Sequence, residues 1–148
     1  MSNRTFKVEG LKELEAALSE MKVSTGKRIT TKVLRDAGQP IADAAAAKAP
    51  ILTMTLYENI GVGTKLTKRQ GALFQKQSPV EVYVGASDPA GVQVEFGNDQ
   101  QAAEPFLRPA WDSGKDRALD KIISGLWTSI NKSAQRAARR AAKLKNKR

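Results

Sequence analysis

The sequence contains no cysteine and no histidine. The chain therefore has no disulfides, no thiolate or imidazole metal ligands, no Cys or Ser–His nucleophile system and no side chain that ordinarily exchanges protons near neutral pH. Carboxylate sites would need clustered acids, but the acidic residues have the spacing of solvated helix faces: Glu13 and Glu15; Asp36 and Asp43; Asp112, Asp116 and Asp120. We expect no enzymatic activity, no metal and no cofactor.

Long apolar runs are also missing, because the unbroken apolar stretches extend over only a few residues. Such stretches are too short to cross a membrane. The N-terminal sequence MSNRTFKVEG lacks the basic start and apolar run of a secretory signal. We therefore expect a protein that is made in the cytoplasm and has no membrane partner. A length of 148 residues suits one domain.

Positive charge is concentrated at the end of the chain. The formal net charge is +10, and the last 18 residues hold eight Lys and Arg but no Asp or Glu. The other 130 residues hold 17 Lys and Arg against 15 Asp and Glu, so they are almost neutral. This contrast predicts a body over residues 1–130 and a basic, Ala-rich helical extension over residues 131–148.

The extension has two interpretations. In the first, it is a solvated, disordered end. In the second, its cations bind DNA phosphates or an acidic partner, and this neutralises their charge and lets the segment form a helix. It has no interleaved aromatic residues for base stacking, so only backbone contact with nucleic acid is supported. The candidate contacts are Lys132, Arg136, Arg139, Arg140, Lys143, Lys145, Lys147 and Arg148.

Apolar residues at helical spacing predict three helices in the body. The first runs from Leu11 past Met21 and ends near the Ser-Thr-Gly at positions 24–26. The second, over residues 27–49, contains Pro40, which predicts a kink or a break into two helices. The third carries Leu119, Ile122, Ile123, Leu126 and Ile130 in register, and we expect it to pack on a sheet up to Ile130.

Alternating apolar and polar residues predict a small antiparallel sheet of about three to four strands, packed against two or three helices in an α+β fold. Residues 80–84 and 92–96 are expected to pair across the turn sequence ASDPAG. Further strands are expected near Phe6 and Val8 and from Tyr57 to Val62. The polar, basic segment at residues 64–79 should form an exposed loop.

Four short motifs resemble one family of phage proteins. They are Ala49-Pro50, Tyr83-Val84-Gly85, Glu95-Phe96-Gly97 and Pro105-Phe106-Leu107-Arg108-Pro109-Ala110. In order and approximate spacing this set resembles the tail-completion, or head–tail joining, family of long-tailed phages, which is related to the minor tail protein Z group.

The resemblance implies an α+β virion protein without catalytic activity, made in the host cytoplasm and located at the head–tail junction. It implies a ring of copies, as a hexamer or dodecamer, beside neck, head-closing and tail-terminator or tail-tube proteins. The extension would then meet packaged DNA, the tape-measure protein or an acidic neighbour. A free-standing, sequence-nonspecific nucleic-acid-binding protein that uses its basic tail is the competing hypothesis.

Subunit contacts are predicted at the last two motifs and at the loop, because proline-stiffened segments with aromatic and Arg side chains suit interfaces. For Phe106 and Leu107, core packing is the favoured alternative. Arg108 is expected to bind a partner or a structural carboxylate, and Trp111 and Trp127 serve an interface or the core. The candidates are Phe96, Gly97, Pro105, Phe106, Arg108, Pro109, Trp111, Lys65, Lys68, Arg69 and Phe74.

Overall fold

A computed structural model of the chain describes residues 11–19, 21–51 and 54–146. In this part the fold is α+β, as predicted. The elements in chain order are α1 (Leu11–Ser19), α2 (Val23–Lys48), α3 (Met54–Glu58), β1 (Ile60–Gly63), α4 (Lys68–Leu73), β2 (Tyr83–Ala86), α5 (Ala90–Phe96) and α6 (Leu107–Lys145).

Helices α2 and α6 form the main packing unit of the fold. A Cβ at Gly114 would lie 2.8 Å from Ile41 Cγ1, and one at Gly125 would lie 3.0 Å from Val33 Cγ1. Gly125, the later glycine of α6, meets Val33, which precedes Ile41 on α2, so the two helices run antiparallel. The two glycines permit this close approach, which any side chain would obstruct.

The sheet packs on another part of the α2 surface. Its two strands are antiparallel, with Ile60 opposite Ala86 and Gly63 opposite Tyr83. A Cβ at Gly38 of α2 would lie 3.0 Å from a methyl group of Val84, so the missing side chain lets strand and helix meet. The expected packing of the last helix on the sheet is therefore wrong for most of its length, because α6 packs chiefly on α2.

Two apolar clusters stabilise the body. The first joins the C-terminal half of α2 to α3 and the start of α6, and consists of Ile41, Ala45, Ala49, Leu56, Phe106 and Ala110. The second joins α1, the N-terminal half of α2 and the middle of α6, and consists of Leu14, Val33, Leu126 and Ile130. Ile130 is the last buried residue of α6 in the described part of the chain.

The predicted strand at residues 92–96 is wrong, because this segment is helix α5. Alternation placed Glu95 on the solvent side, but the structure buries Glu95 and Gly91, four residues apart, as in a helix. The pairing of residues 80–84 with 92–96 is wrong for the same reason. The observed partner of β2 is β1, and the described residues contain two strands rather than three or four.

Helix boundaries differ from the predictions at three places. Helix α1 ends at Ser19, and the Ser-Thr-Gly at positions 24–26 lies inside α2. Helix α2 passes through Pro40 as one helix, so of the two alternatives predicted there, a kink or a division into two helices, the division is wrong. It ends at Lys48, just before Ala49-Pro50, as predicted. Strand β1 begins at Ile60, within the range of residues 57–62 predicted for a strand, and the strand predicted at Phe6 and Val8 lies outside the described residues.

Candidate functional site

The Glu-Phe-Gly and Pro-Phe-Leu-Arg-Pro motifs meet at a buried carboxylate, that of Glu95. Its oxygens accept hydrogen bonds from the backbone N–H groups of Phe106, Leu107 and Arg108, at 2.8, 2.9 and 3.1 Å. Arg108 Nε donates to Glu95 Oε1 at 2.8 Å, and Arg108 Nη2 donates to the backbone oxygen of Glu95 at 2.8 Å. Of the two roles expected for Arg108, the structure thus shows the structural carboxylate.

This carboxylate caps the beginning of α6. The first four N–H groups of a helix lack partners within it, and here they would belong to Phe106, Leu107, Arg108 and Pro109. Three of them donate to Glu95, and Pro109 has no N–H. The negative charge also opposes the positive end of the helix dipole. The two motifs therefore form one structural unit that fixes where α6 starts.

The pKa of Glu95 shows which effect dominates at this site. Burial alone would raise the pKa. The hydrogen bonds from Arg108 and from the three backbone N–H groups lower it by more than burial raises it, so the pKa falls from 4.5 to about 2. Glu95 is therefore ionised at neutral pH and serves as a cap rather than as a proton donor.

A tight connection links α5 to α6. Gly97 has φ 74° and ψ 175°, a region that only glycine adopts readily. A Cβ there would also lie 2.8 Å from the backbone nitrogen of Ala103. Asn98 and Gln101 form an antiparallel bridge, and the N–H of Glu104 donates to Val94 O at 2.8 Å. This segment is held by its own backbone, so Gly97 has a structural role.

Beside the buried cap, side chains of α5 and α6 form an exposed group that we call the aromatic patch: Val92, Phe96, Arg108 and Trp111. The guanidinium carbon of Arg108 lies 4.8 Å from the centre of the Phe96 ring, a cation–π contact. Phe96 is 65% exposed and Trp111, one turn after Arg108, is 55% exposed. The patch combines a rigid base with accessible apolar surface.

The other residues of these motifs divide between core and surface. Phe106 is 0% exposed and belongs to the first core cluster, so its side chain has the core role rather than a place on the surface. Leu107 and Trp127 are half-buried against the core clusters. Pro105 is exposed and Pro109 is half-buried.

The predicted loop at residues 64–79 is exposed but contains helix α4. Thr67 and Gln70 form a capping box at the start of this helix, and Gln70 Nε2 donates to Ala86 O of β2 at 3.1 Å. Phe74 packs edge-on against Tyr83, with ring centres 5.7 Å apart. The loop is thus attached to the sheet while its candidate contacts Lys65, Lys68 and Arg69 face solvent.

Glu81 is a second structural carboxylate that the sequence reasoning missed. It accepts hydrogen bonds from the N–H groups of Gln77 and Ser78 and from the Tyr83 hydroxyl. The hydrogen bond from Tyr83 lowers the pKa of Glu81, and backbone hydrogen bonds act in the same direction against the effect of burial. The group fixes the return of the loop to β2.

The basic extension continues α6 as far as Lys145. From Asn131 to Leu144 every residue is exposed except the half-buried Ser133. Five predicted contacts face solvent there: Lys132, Arg136, Arg139, Arg140 and Lys143. Lys145 is the last helical residue, and Lys147 and Arg148 lie outside the described residues.

A second group of cations lies on α2, where the sequence analysis treated the charge as balanced. Lys27, Arg28, Lys32 and Arg35 are exposed and, with Thr31 and Asp36, line a shallow depression on one face of the helix. Lys32 Nζ lies 3.9 Å from Asp36 Oδ2, with both side chains largely exposed. Arg28, Lys32 and Arg35 are separated by three, four and seven residues, and this spacing was the signal in the sequence that they share one face of a helix.

None of the helices in the described part of the chain combines the length and apolar character needed to span a bilayer. In the same residues no group of three or more acidic side chains is arranged to hold a metal ion.

A small α+β body with structural carboxylates and exposed aromatic and basic surfaces is typical of a protein that acts through contacts with other macromolecules. Residues 12–97 match the family model described as "Bacteriophage HK97-gp10, putative tail-component". The match covers more than half of the chain, which therefore belongs to the HK97-gp10-like family of phage tail components. Neither the curated proteins nor the solved structures gave a match.

The family match confirms the resemblance that the motifs indicated. It makes the chain a component of the virion and implies a structural rather than an enzymatic role.

Proposed function

We propose that this chain completes the phage tail and joins it to the DNA-filled head as one subunit of an oligomeric ring. The supporting observation is the aromatic patch, because Phe96 and Trp111 are exposed on a part of the body that the Glu95 cap and the Gly97 turn hold rigid. Rigid aromatic and Arg side chains are the residues that contribute most to protein interfaces.

The subunit contact would join the aromatic patch of one copy to the loop of the next copy at residues 64–79, which contains α4. Leu73 is 89% exposed and Phe74 is partly exposed, so the loop also offers apolar surface. Lys65, Lys68 and Arg69 of the same loop are exposed and would belong to the polar rim of the contact. A head-to-tail contact of this kind closes into a ring when the rotation between copies permits it, as a hexamer or a dodecamer.

The ring would lie between the head-closing proteins and the tail-terminator or tail-tube proteins. Each of its two faces would contact a different neighbour. The C-terminal extension would be directed toward the central passage, where packaged DNA or the end of the tape-measure protein lies. No chemistry is required of the chain in this role.

The test is electron microscopy of particles made by the encoding phage when this chain is absent. We expect DNA-filled heads and separate tails. Complete, infectious virions made without the chain would contradict the proposal.

The patch is tested by a Val92→Ser and Trp111→Ala double variant, with Tyr57→Ala as a matched loss of an exposed aromatic outside the patch. We expect the double variant to fold but to lose self-association and head–tail joining, while Tyr57→Ala retains both. A body that neither self-associates nor binds any neck or tail protein would favour the free-standing nucleic-acid-binding alternative. That alternative is supported by the exposed cations of α2 and α6.

A further inference from the structure

Two rows of cations occur on the long helices. The α2 row consists of Lys27, Arg28, Lys32 and Arg35, and the α6 row consists of Lys132, Arg136, Arg139, Arg140 and Lys143. All nine side chains are exposed, although the rows are separated by almost a hundred residues in sequence.

The orientation of the α6 row follows from the glycine contacts. Gly125 faces α2, because a Cβ there would meet Val33. Lys132, Arg136, Arg139 and Lys143 follow Gly125 by 7, 11, 14 and 18 residues, which are close to whole numbers of helical turns. These cations therefore lie on the side of α6 that faces α2 in the body, but they continue toward and past the end of α2.

The α2 row is on the outer side of α2. Val33, Ala37 and Ile41 are buried on the side of α2 that packs against α6. Arg28 and Arg35 lie on nearly the opposite side of the helix from Val33, and Lys27 and Lys32 flank them at about 100° to 120° from Val33. A line drawn from α6 through α2 therefore points to the side of the molecule on which both rows are exposed.

The two rows also lie at the same end of the molecule. The helices are antiparallel, with Val33 beside Gly125, so the N-terminal part of α2 lies alongside the point where α6 leaves the body. From the level of Arg35 to Lys143 the distance along α6 is about 30 Å at 1.5 Å per residue. This length approaches one turn of duplex DNA, which is about 34 Å.

We propose that the α2 row and the α6 row form one surface that binds the phosphate backbone of duplex DNA without reading its sequence. Part of the binding site is thus in the body and not in the extension. The DNA in a joined head and tail is where the surface would meet this ligand, and in that respect the inference rests on the proposed function.

The composition of the surface favours phosphate over an acidic protein. A protein interface needs an apolar centre as well as charge, but the exposed large apolar side chains near the two rows are two single ones, Val23 at the start of α2 and Leu144 near the end of α6. Among the described residues, the acidic side chain paired with a cation of the rows is Asp36, which is 3.9 Å from Lys32. The phosphate backbone needs only a series of cations at intervals.

The test is the affinity of the full chain for a fluorescent 30-base-pair duplex, measured by anisotropy at several salt concentrations. Contacts with phosphates make log Kd rise with log salt, by about 0.9 per contact. One variant carries Lys27, Arg28, Lys32 and Arg35→Gln, and a second carries Gln at all five positions of the α6 row. A control variant carries Lys48, Lys76, Lys115 and Arg117→Gln, four exposed cations elsewhere.

We expect the α2-row variant to lose affinity by on the order of tenfold or more at 0.1 M salt, and its slope to fall by about 3. The α6-row variant should lose at least as much, whereas the control should stay within about threefold of the unmodified chain. Circular dichroism and thermal melting establish that each variant is folded.

Three results would overturn the inference: no DNA binding by the unmodified chain, an α2-row variant that binds as the control does, or equal losses in the control and the row variants. The last would show an effect of net charge alone. Head–tail joining is scored separately by electron microscopy. An unmodified chain that joins heads to tails but does not bind DNA would overturn this inference alone, and a chain that binds DNA but is dispensable for joining would overturn the proposed function alone.

Discussion

Helix α6 has one backbone conformation but two different environments. Over residues 107–130 its first turn is capped by Glu95, and Leu126 and Ile130 are buried against α1 and α2. Over residues 131–144 every side chain except the half-buried Ser133 is exposed to solvent, and Leu144 is 70% exposed. Helices in water depend mainly on the packing of an apolar face. The second part therefore relies on alanine helix propensity alone, and the body should be stable without it.

The largest expected difference comes from the same substitution in both parts of α6. Leu126→Ala removes a side chain that is 6% exposed in the second core cluster and should lower the free energy of unfolding by about 3 kcal/mol. Leu144→Ala should change it by less than about 0.5 kcal/mol. Urea unfolding followed by circular dichroism measures both. Equal losses would show that the extension is packed as the body is.

Glu95→Ala tests the anchor at the start of α6. The substitution leaves three backbone N–H groups and the Arg108 guanidinium without their acceptor, which should cost about 2 to 3 kcal/mol. Glu104→Ala, which removes an exposed carboxylate from the same connection, should cost less than about 0.5 kcal/mol. If the two variants unfold at the same urea concentration, the cap does not stabilise the body.

Acid should weaken the same anchor. The folded pKa of Glu95, about 2, lies below its ordinary value of 4.5, so its contribution to stability is complete above pH 4.5 and is lost as the pH falls toward 2. Urea midpoints measured from pH 6 to pH 2.5 should fall in this window for the unmodified chain. Glu95→Gln should start lower and show a smaller decrease, and an identical pH dependence of both chains would contradict the assignment.

A smaller loss of stability is expected from a substitution in the turn that connects α5 to α6. Gly97→Ala forces a side chain into a positive-φ conformation and to within 2.8 Å of the Ala103 nitrogen, so we expect a loss of about 2 kcal/mol. Gly71→Ala, in the exposed helix α4 with open space around it, should be neutral or stabilising by up to about 1 kcal/mol. Thermal melting compares them, and a destabilised Gly71→Ala with an unaffected Gly97→Ala would reverse the interpretation.

The sequence predicted the helices better than the sheet. Regular apolar spacing located α2 and the apolar face of α6, because both helices bury one continuous face. The segment VQVEF, residues 92–96, was wrongly predicted as a strand because Glu95, as a polar residue, was assumed to be exposed. Glu95 is buried, since the helix start it caps lies eleven or more residues away and cannot be seen in local alternation. Three residues of the aromatic patch, Phe96, Arg108 and Trp111, were among the predicted interface candidates, but their attachment to the Glu95 cap was not predicted.

Counting charge by segment had a similar limit. It located the α6 row because residues 131–148 contain no Asp or Glu, and it missed the α2 row because the count was taken over residues 1–130, where acidic residues elsewhere balance these cations. Only the antiparallel packing of α2 on α6 shows that the two rows share a side. The resemblance to phage tail proteins, in contrast, was read from motifs and is confirmed by the family match over residues 12–97.

Amide hydrogen exchange along α6 tests the contrast between its two parts most directly. In the isolated chain we predict slow exchange over residues 111–130, limited by unfolding of the whole body, and fast exchange over residues 134–145 by local opening. Addition of duplex DNA should slow exchange in the second segment, and also in the first, because a ligand of the folded body raises its free energy of unfolding. Uniformly slow exchange from 111 to 145 without any ligand would contradict the division of α6 into an anchored helix and an exposed extension.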